Sequence, residues 1–170
     1  MLESSEDSVH MLIALDRKKD NPNNTGKIAL KQIIHNYEDD LHILVARCNG
    51  FPGKTFRIYR TVNQRSLSKA FKLFQHHLID DPNPLKLESI WKSCLMSPKA
   101  KADHNFLIDV DSKTHEPYKR LIELGVTILE SVSTPRGFHY ITKPFDIRCF
   151  VFDDVEIKKD SMIYVRTYES

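Results

Sequence analysis

Two short runs hold most of the side chains able to do chemistry. In "FLIDVDS" (106–112) an apolar stretch ends in Asp109 and Asp111. A strand alternates its side chains, so acids at i and i+2 share one face. Two carboxylates side by side repel, and a hard divalent cation such as Mg²⁺ or Mn²⁺ is the usual remedy. In "STPRGFH" (133–139) a hydroxyl, a guanidinium fork, a glycine and an imidazole fall close together, as Ser133, Arg136, Gly137 and His139. Such groups suit a polyphosphate: the fork and the ring hold oxygens, and glycine lets backbone approach closely. An acid pair followed by an anion-binding run suggests metal-assisted phosphoryl transfer.

The elements that must position these groups follow from periodicity. "NFLIDVD" reads as a strand, "EPYKRLIEL" as a helix closed by Gly125, and "VTILESV" and "GFHYITK" as strands. "CFVFDDVEIKKDSMIYVRTY" reads as a hairpin turning near "KKDS". In the first half, residues 16–26 form a polar loop with Pro22 and Gly26 as breakers, and residues 27–37 suit a helix with Ile28, Leu30, Ile33 and Ile34 mostly on one side. "LHILVARC" (41–48) reads as a buried strand, with "TFRIYRTV" (55–62) as its hairpin partner across "NGFPG". Ser66 caps a helix that carries Leu67, Ala70, Phe71, Phe74 and Leu78 at helical spacing. A second short helix carries Leu87, Ile90, Trp91, Cys94 and Leu95, with Trp91 as a core anchor. The pattern predicts an α+β fold: a single compact domain over 1–170, with a mixed or antiparallel sheet flanked by helices. Residues 1–100 form a basic, helix-rich half and 101–170 the half with the motifs.

Composition narrows the setting. The 170 residues are 41% apolar and 28% charged, as in an ordinary soluble globular protein. Cys48, Cys94 and Cys149 are odd in number and far apart, which argues against a disulfide framework and a structural zinc. A reducing, cytoplasmic location is expected. The N-terminus "MLESSEDSVH" lacks the apolar core of a signal peptide, and no apolar run approaches the ~20 residues that span a bilayer. "CNGFPGKT" ends like a phosphate-binding loop, but the first glycine is missing and a strand follows where a helix is needed.

The net charge of +2 hides a local asymmetry. From Phe51 to Ile79 there is no acid, while Lys54, Arg57, Arg60, Arg65, Lys69 and Lys72 are basic. With Tyr59 as a ring on which a base can stack, Lys54, Arg57, Arg60 and Arg65 are candidates for a template or primer groove.

In order and spacing, the motif half resembles the archaeo-eukaryotic primase and primase-polymerase superfamily. "FLIDVD" is similar to that family's hhhDhD motif, "STPRGFH" to its Ser…His element, and "VEIKKDSMIYV" to its acid-led strand and turn. The resemblance implies that Asp109, Asp111 and Glu156 are catalytic metal ligands, although Asp153, Asp154 and Asp160 stand near Glu156. It implies that Ser133, Arg136, Gly137 and His139 bind the incoming nucleotide. Three carboxylates can hold two Mg²⁺ or Mn²⁺ ions ~3.5–4 Å apart. The implied activity is template-directed transfer of nucleotides from triphosphates to a 3′-hydroxyl on a DNA template or primer-template. A helicase or replication-initiation protein is the kind of partner such a core implies.

Two other readings compete. Glu156-x-Lys158 resembles half of a restriction-endonuclease-like metal site, with Asp146 or Asp153 as the upstream acid. The third possibility is a noncatalytic nucleic-acid-binding relative of the primase core.

Overall fold

The run "NYEDDLHILVARC" shows how local signals decide an element. Asn36 accepts the backbone N–H groups of Glu38 and Asp39, three acids fill the first turn, and Arg47 sits in the last. Those charges suit a helix dipole. Leu41, Leu44 and Cys48 recur at helical spacing and are buried. The segment read as a strand is therefore a helix.

The computed structural model describes residues 7–22 and 28–170. The expected breaker Gly26 lies outside the described residues. The elements in chain order are β1 (Ser8–Asp16), β2 (Ala29–Ile34), α1 (Tyr37–Cys48), β3 (Thr55–Thr61), β4 (Arg65–Ser66), α2 (Leu67–Asp80), α3 (Leu87–Met96), β5 (Phe106–Val110), α4 (Glu116–Glu123), β6 (Ile128–Ser133), β7 (Phe138–Thr142), β8 (Val155–Lys158) and β9 (Met162–Glu169). Among the described residues the fold is α+β, with two antiparallel sheets and four α-helices. Among the described residues, no helix is long and apolar enough to cross a membrane.

The chain forms two compact units. One comprises residues 1–60, 64–103 and 165–170; the other comprises 61–63 and 104–164. The first is built on the strand order β2-β1-β3-β9, with β4 also paired to β1. Of the nine residues of β1, only Leu15 is not buried. Its Leu12 and Ala14 pack with Leu41, Leu44 and Cys48 of α1, while Val9 and Met11 pack with Ala70, Cys94 and Leu95 of α2 and α3. Strand alternation thus gives each helix layer its own face. Ser66 caps α2, accepting from the Lys69 N–H as its sequence implies. Trp91 is partly buried and meets Phe74 edge-on in this core.

Two strand assignments change. Ala29–Ile34 is a strand, not part of a helix, because β1 offers it a complete antiparallel partner from His10–Ile34 to Leu15–Ala29. Pairing with a buried strand outweighs weak local preference. The segments read as a terminal hairpin, β8 and β9, do not pair with each other: β8 joins β5, and β9 joins β3.

The second unit carries the motifs on an antiparallel sheet ordered β6-β7-β5-β8. Ile108, Val110 and Tyr140 pack with Leu121 of α4 and Phe150 on one face. Leu107 and Ile141 pack with Val62 and Ile163 on the other. α4 ends before Gly125, whose φ of 68° lies in the left-handed region that glycine enters without strain.

Candidate functional site

Strand β5 places Asp109 in the middle of the second sheet, and the register sets its neighbours. Asp109 stands opposite His139 of β7 on one side and Glu156 of β8 on the other. Cross-strand partners share a face, and Lys158, two residues beyond Glu156, shares it too. Four polar side chains therefore converge on the face whose apolar part is Leu107 and Ile141.

Their contacts form one network. His139 Nε2 lies 3.1 Å from Asp109 Oδ1, and Lys158 Nζ lies 2.7 Å from Asp109 Oδ2. Lys158 Nζ also lies 3.0 Å from Glu156 Oε2, so one ammonium bridges two carboxylates. The backbone N–H of Tyr164 donates to His139 Nδ1 at 3.1 Å. Because Nδ1 accepts, Nε2 carries the proton that His139 donates to Asp109.

This setting shifts two groups. The hydrogen bond from His139 holds the Asp109 carboxyl down at about 2; burial opposes the shift, and Lys158 adds to it. Burial works against the Lys158 ammonium, but its bonds to Asp109 and Glu156 outweigh burial and raise its pKa. The expected repulsion between acids is therefore relieved at Asp109 by the chain's own donors.

Asp111 follows at the end of β5, exposed to solvent. Its N–H donates to Asp154 O at 2.9 Å, tying it to the segment that leads into β8. Gly137 shows why the next motif needs glycine. A Cβ there would fall 1.8 Å from Val110 O and within 3 Å of the Ser112 backbone. The Thr134–Gly137 turn is thus pressed against the end of the Asp-x-Asp strand, closed by Thr134 N–H to Gly137 O and Gly137 N–H to Thr134 Oγ1.

The structure does not bring every candidate together. Ser133 pairs with Phe138, one residue out of step with His139, and so lies on the opposite face of the sheet from Asp109. Arg136 is exposed at the turn and makes no ion pair or hydrogen bond among the described residues. Asp146, an upstream acid considered for the nuclease reading, forms a fork with Arg148 (2.6 Å) instead.

The basic segment of the first unit is also placed differently from expectation. Arg60 and Arg65 are buried, at 4% and 2% exposure. Arg57 grips Asp20 with two nitrogens (2.7 and 2.6 Å), Lys54 pairs with Asp16 (3.2 Å), and the Tyr59 hydroxyl accepts from Arg17 (3.0 Å). Counter-charges absent from the local sequence arrive from the end of β1 and the loop after it. These residues do not form an open cationic groove.

The donor set near Asp109 is suited to a hard cation. Asp109 and Glu156 already share a positive charge, while Asp111 lies just past the end of β5 and is held there through its backbone. Among the described residues, no three histidine, cysteine or acidic side chains converge as a ready metal cage; the cation between the two acids is the Lys158 ammonium. Lys158 was visible in the sequence as the third residue of Glu-x-Lys, and strand alternation was the signal that aims it beside Glu156. The Tyr164 contact depends on long-range folding and left no sequence signal. No family model, curated protein or solved structure matches the chain.

Proposed function

We propose that the chain is a divalent-metal-dependent nucleotidyltransferase of the primase-polymerase type, working in a cytoplasmic setting on DNA template or primer-template with nucleoside triphosphates. One observation carries the reading: Asp109 stands between His139 and Glu156 on adjacent strands, with a cation already bridging the two acids. Asp109, Asp111 and Glu156 would hold Mg²⁺ or Mn²⁺, which supplies charge neutralisation and an activated hydroxyl when bound. His139 orients the Asp109 carboxylate through its Nε2–H, and were Asp109 to hold a metal, that N–H would be a donor for a phosphate oxygen. The Gly137 turn keeps this end of the sheet fixed against Val110 and Ser112.

A nuclease is the second reading, and Lys158 favours it. Asp109, Glu156 and Lys158 form an Asp…Glu-x-Lys group in which the lysine would steady an attacking water, with Asp109 replacing the upstream acids first considered. A labelled primer-template with Mg²⁺ or Mn²⁺ and all four nucleotides separates the readings. Extension supports the polymerase, degradation supports the nuclease, and retention without either leaves a binding module.

A further inference from the structure

The face of the second sheet opposite Asp109 carries a row of rings. His115 lies 4.9 Å from Phe138, Phe138 stacks at 6.1 Å and 19° on Tyr140, and Tyr140 meets Tyr118 at 5.5 Å. The inner members are core: Tyr140 is 2% exposed and Phe138 half-buried. The outer members are not, since His115 is exposed and Tyr118 is 39% exposed. Two aromatic surfaces therefore face water at the ends of a rigid row.

Cations flank the row. Lys113 Nζ sits 5.3 Å from the Phe138 ring centre and donates to Thr134 O (2.7 Å) and Gly137 O (3.4 Å). That bond ties Lys113 to the turn that presents exposed Arg136. Ser133, exposed and in register with Phe138, adds a hydroxyl on the same face. Glu116, the acid nearest in sequence to His115, is occupied by Lys119 at 2.8 Å. Exposed rings beside cations that no carboxylate pairs among the described residues have the chemistry that binds single strands: bases stack on the rings, and cations follow the phosphates. A folded duplex hides its base faces and cannot use the rings.

We propose that His115, Tyr118, Lys113 and Arg136 form a binding surface for single-stranded nucleic acid. As the track for the strand being copied, it rests on the polymerase reading. Its continuity with the site is structural, because Gly137 packs the Arg136 turn onto the backbone beside Asp111. Ser133 and Arg136 thereby gain a role on the strand rather than on the nucleotide.

The test is fluorescence anisotropy of the full chain with labelled oligothymidylate in chelator, which separates binding from catalysis. His115→Ala and Tyr118→Ala should each weaken binding roughly tenfold, while His115→Phe retains it. Arg136→Gln should lower the slope of log affinity against log salt by about 0.7. An abasic oligonucleotide should bind wild type as weakly as a His115→Ala, Tyr118→Ala double variant binds the normal one. Binding is read in chelator and without nucleotide, so a failed catalytic reading leaves this surface testable. Unchanged affinity in a His115→Ala, Tyr118→Ala, Arg136→Gln variant with a wild-type urea midpoint would overturn the proposal. Equal affinity for duplex and single strand would overturn it too.

Discussion

Replacing Asp109 by Asn tests the network without any substrate. In the folded chain its carboxyl titrates at about 2 rather than the ordinary 3.8, chiefly through the His139 bond. A depressed folded value means that ionised Asp109 stabilises the fold above the unfolded value near 4, and that this contribution fades as pH falls through about 2. The gap corresponds to about 2 kcal/mol at pH 7 and about 1 kcal/mol at pH 3. The side chain is 21% exposed, so solvent screens it only in part. Urea unfolding in chelator, followed at pH 7, 5 and 3, should show Asp109→Asn destabilised at neutral pH, with the difference from wild type shrinking in acid. A neutral variant at pH 7, or a loss as large at pH 3 as at pH 7, would refute the reasoning. A site made only of mutually repelling acids would give the opposite sign, with Asn stabilising the metal-free protein.

Other substitutions probe neighbouring features. Lys158→Met removes the ammonium that occupies the space between Asp109 and Glu156; it should lower the metal-free melting temperature while tightening Mn²⁺ binding severalfold by calorimetry. Gly137→Ala forces a Cβ onto Val110 O, so unfolding should show a loss of roughly 2 kcal/mol or more. Arg57→Gln breaks the fork to Asp20 and should cost roughly 1.5–3 kcal/mol in stability, with oligonucleotide affinity unchanged in an anisotropy titration.

The parts of the fold legible in the sequence are those where local pattern and tertiary partner agree. β5 and β7 are short apolar-rich runs, α4 keeps helical spacing, and Ser66 and Gly125 sit where caps belong. β2 was obscured because its strand character comes from pairing with β1 rather than from its own residues. α1 was legible in principle: Asn36, the acidic first turn and the spacing of Leu41, Leu44 and Cys48 outweigh its strand-like composition. At the site, alternation along β8 was enough to align Glu156 with Lys158, and both meet Asp109 across the pairing of β8 with β5. The count of basic residues misled because ion pairs form across the fold: Asp16 and Asp20 lie far in sequence from Lys54 and Arg57. Ser133 was misplaced because no local pattern reveals that Ser133 pairs with Phe138.

The most direct test of the Asp109 face as a metal centre is a Mn²⁺ titration followed by calorimetry, with a nonhydrolysable nucleoside triphosphate present. Wild type should show saturable binding that Asp109→Asn with Asp111→Asn abolishes while the fold, checked by circular dichroism, remains. Undiminished Mn²⁺ binding in the double variant, or none in wild type, would contradict the assignment.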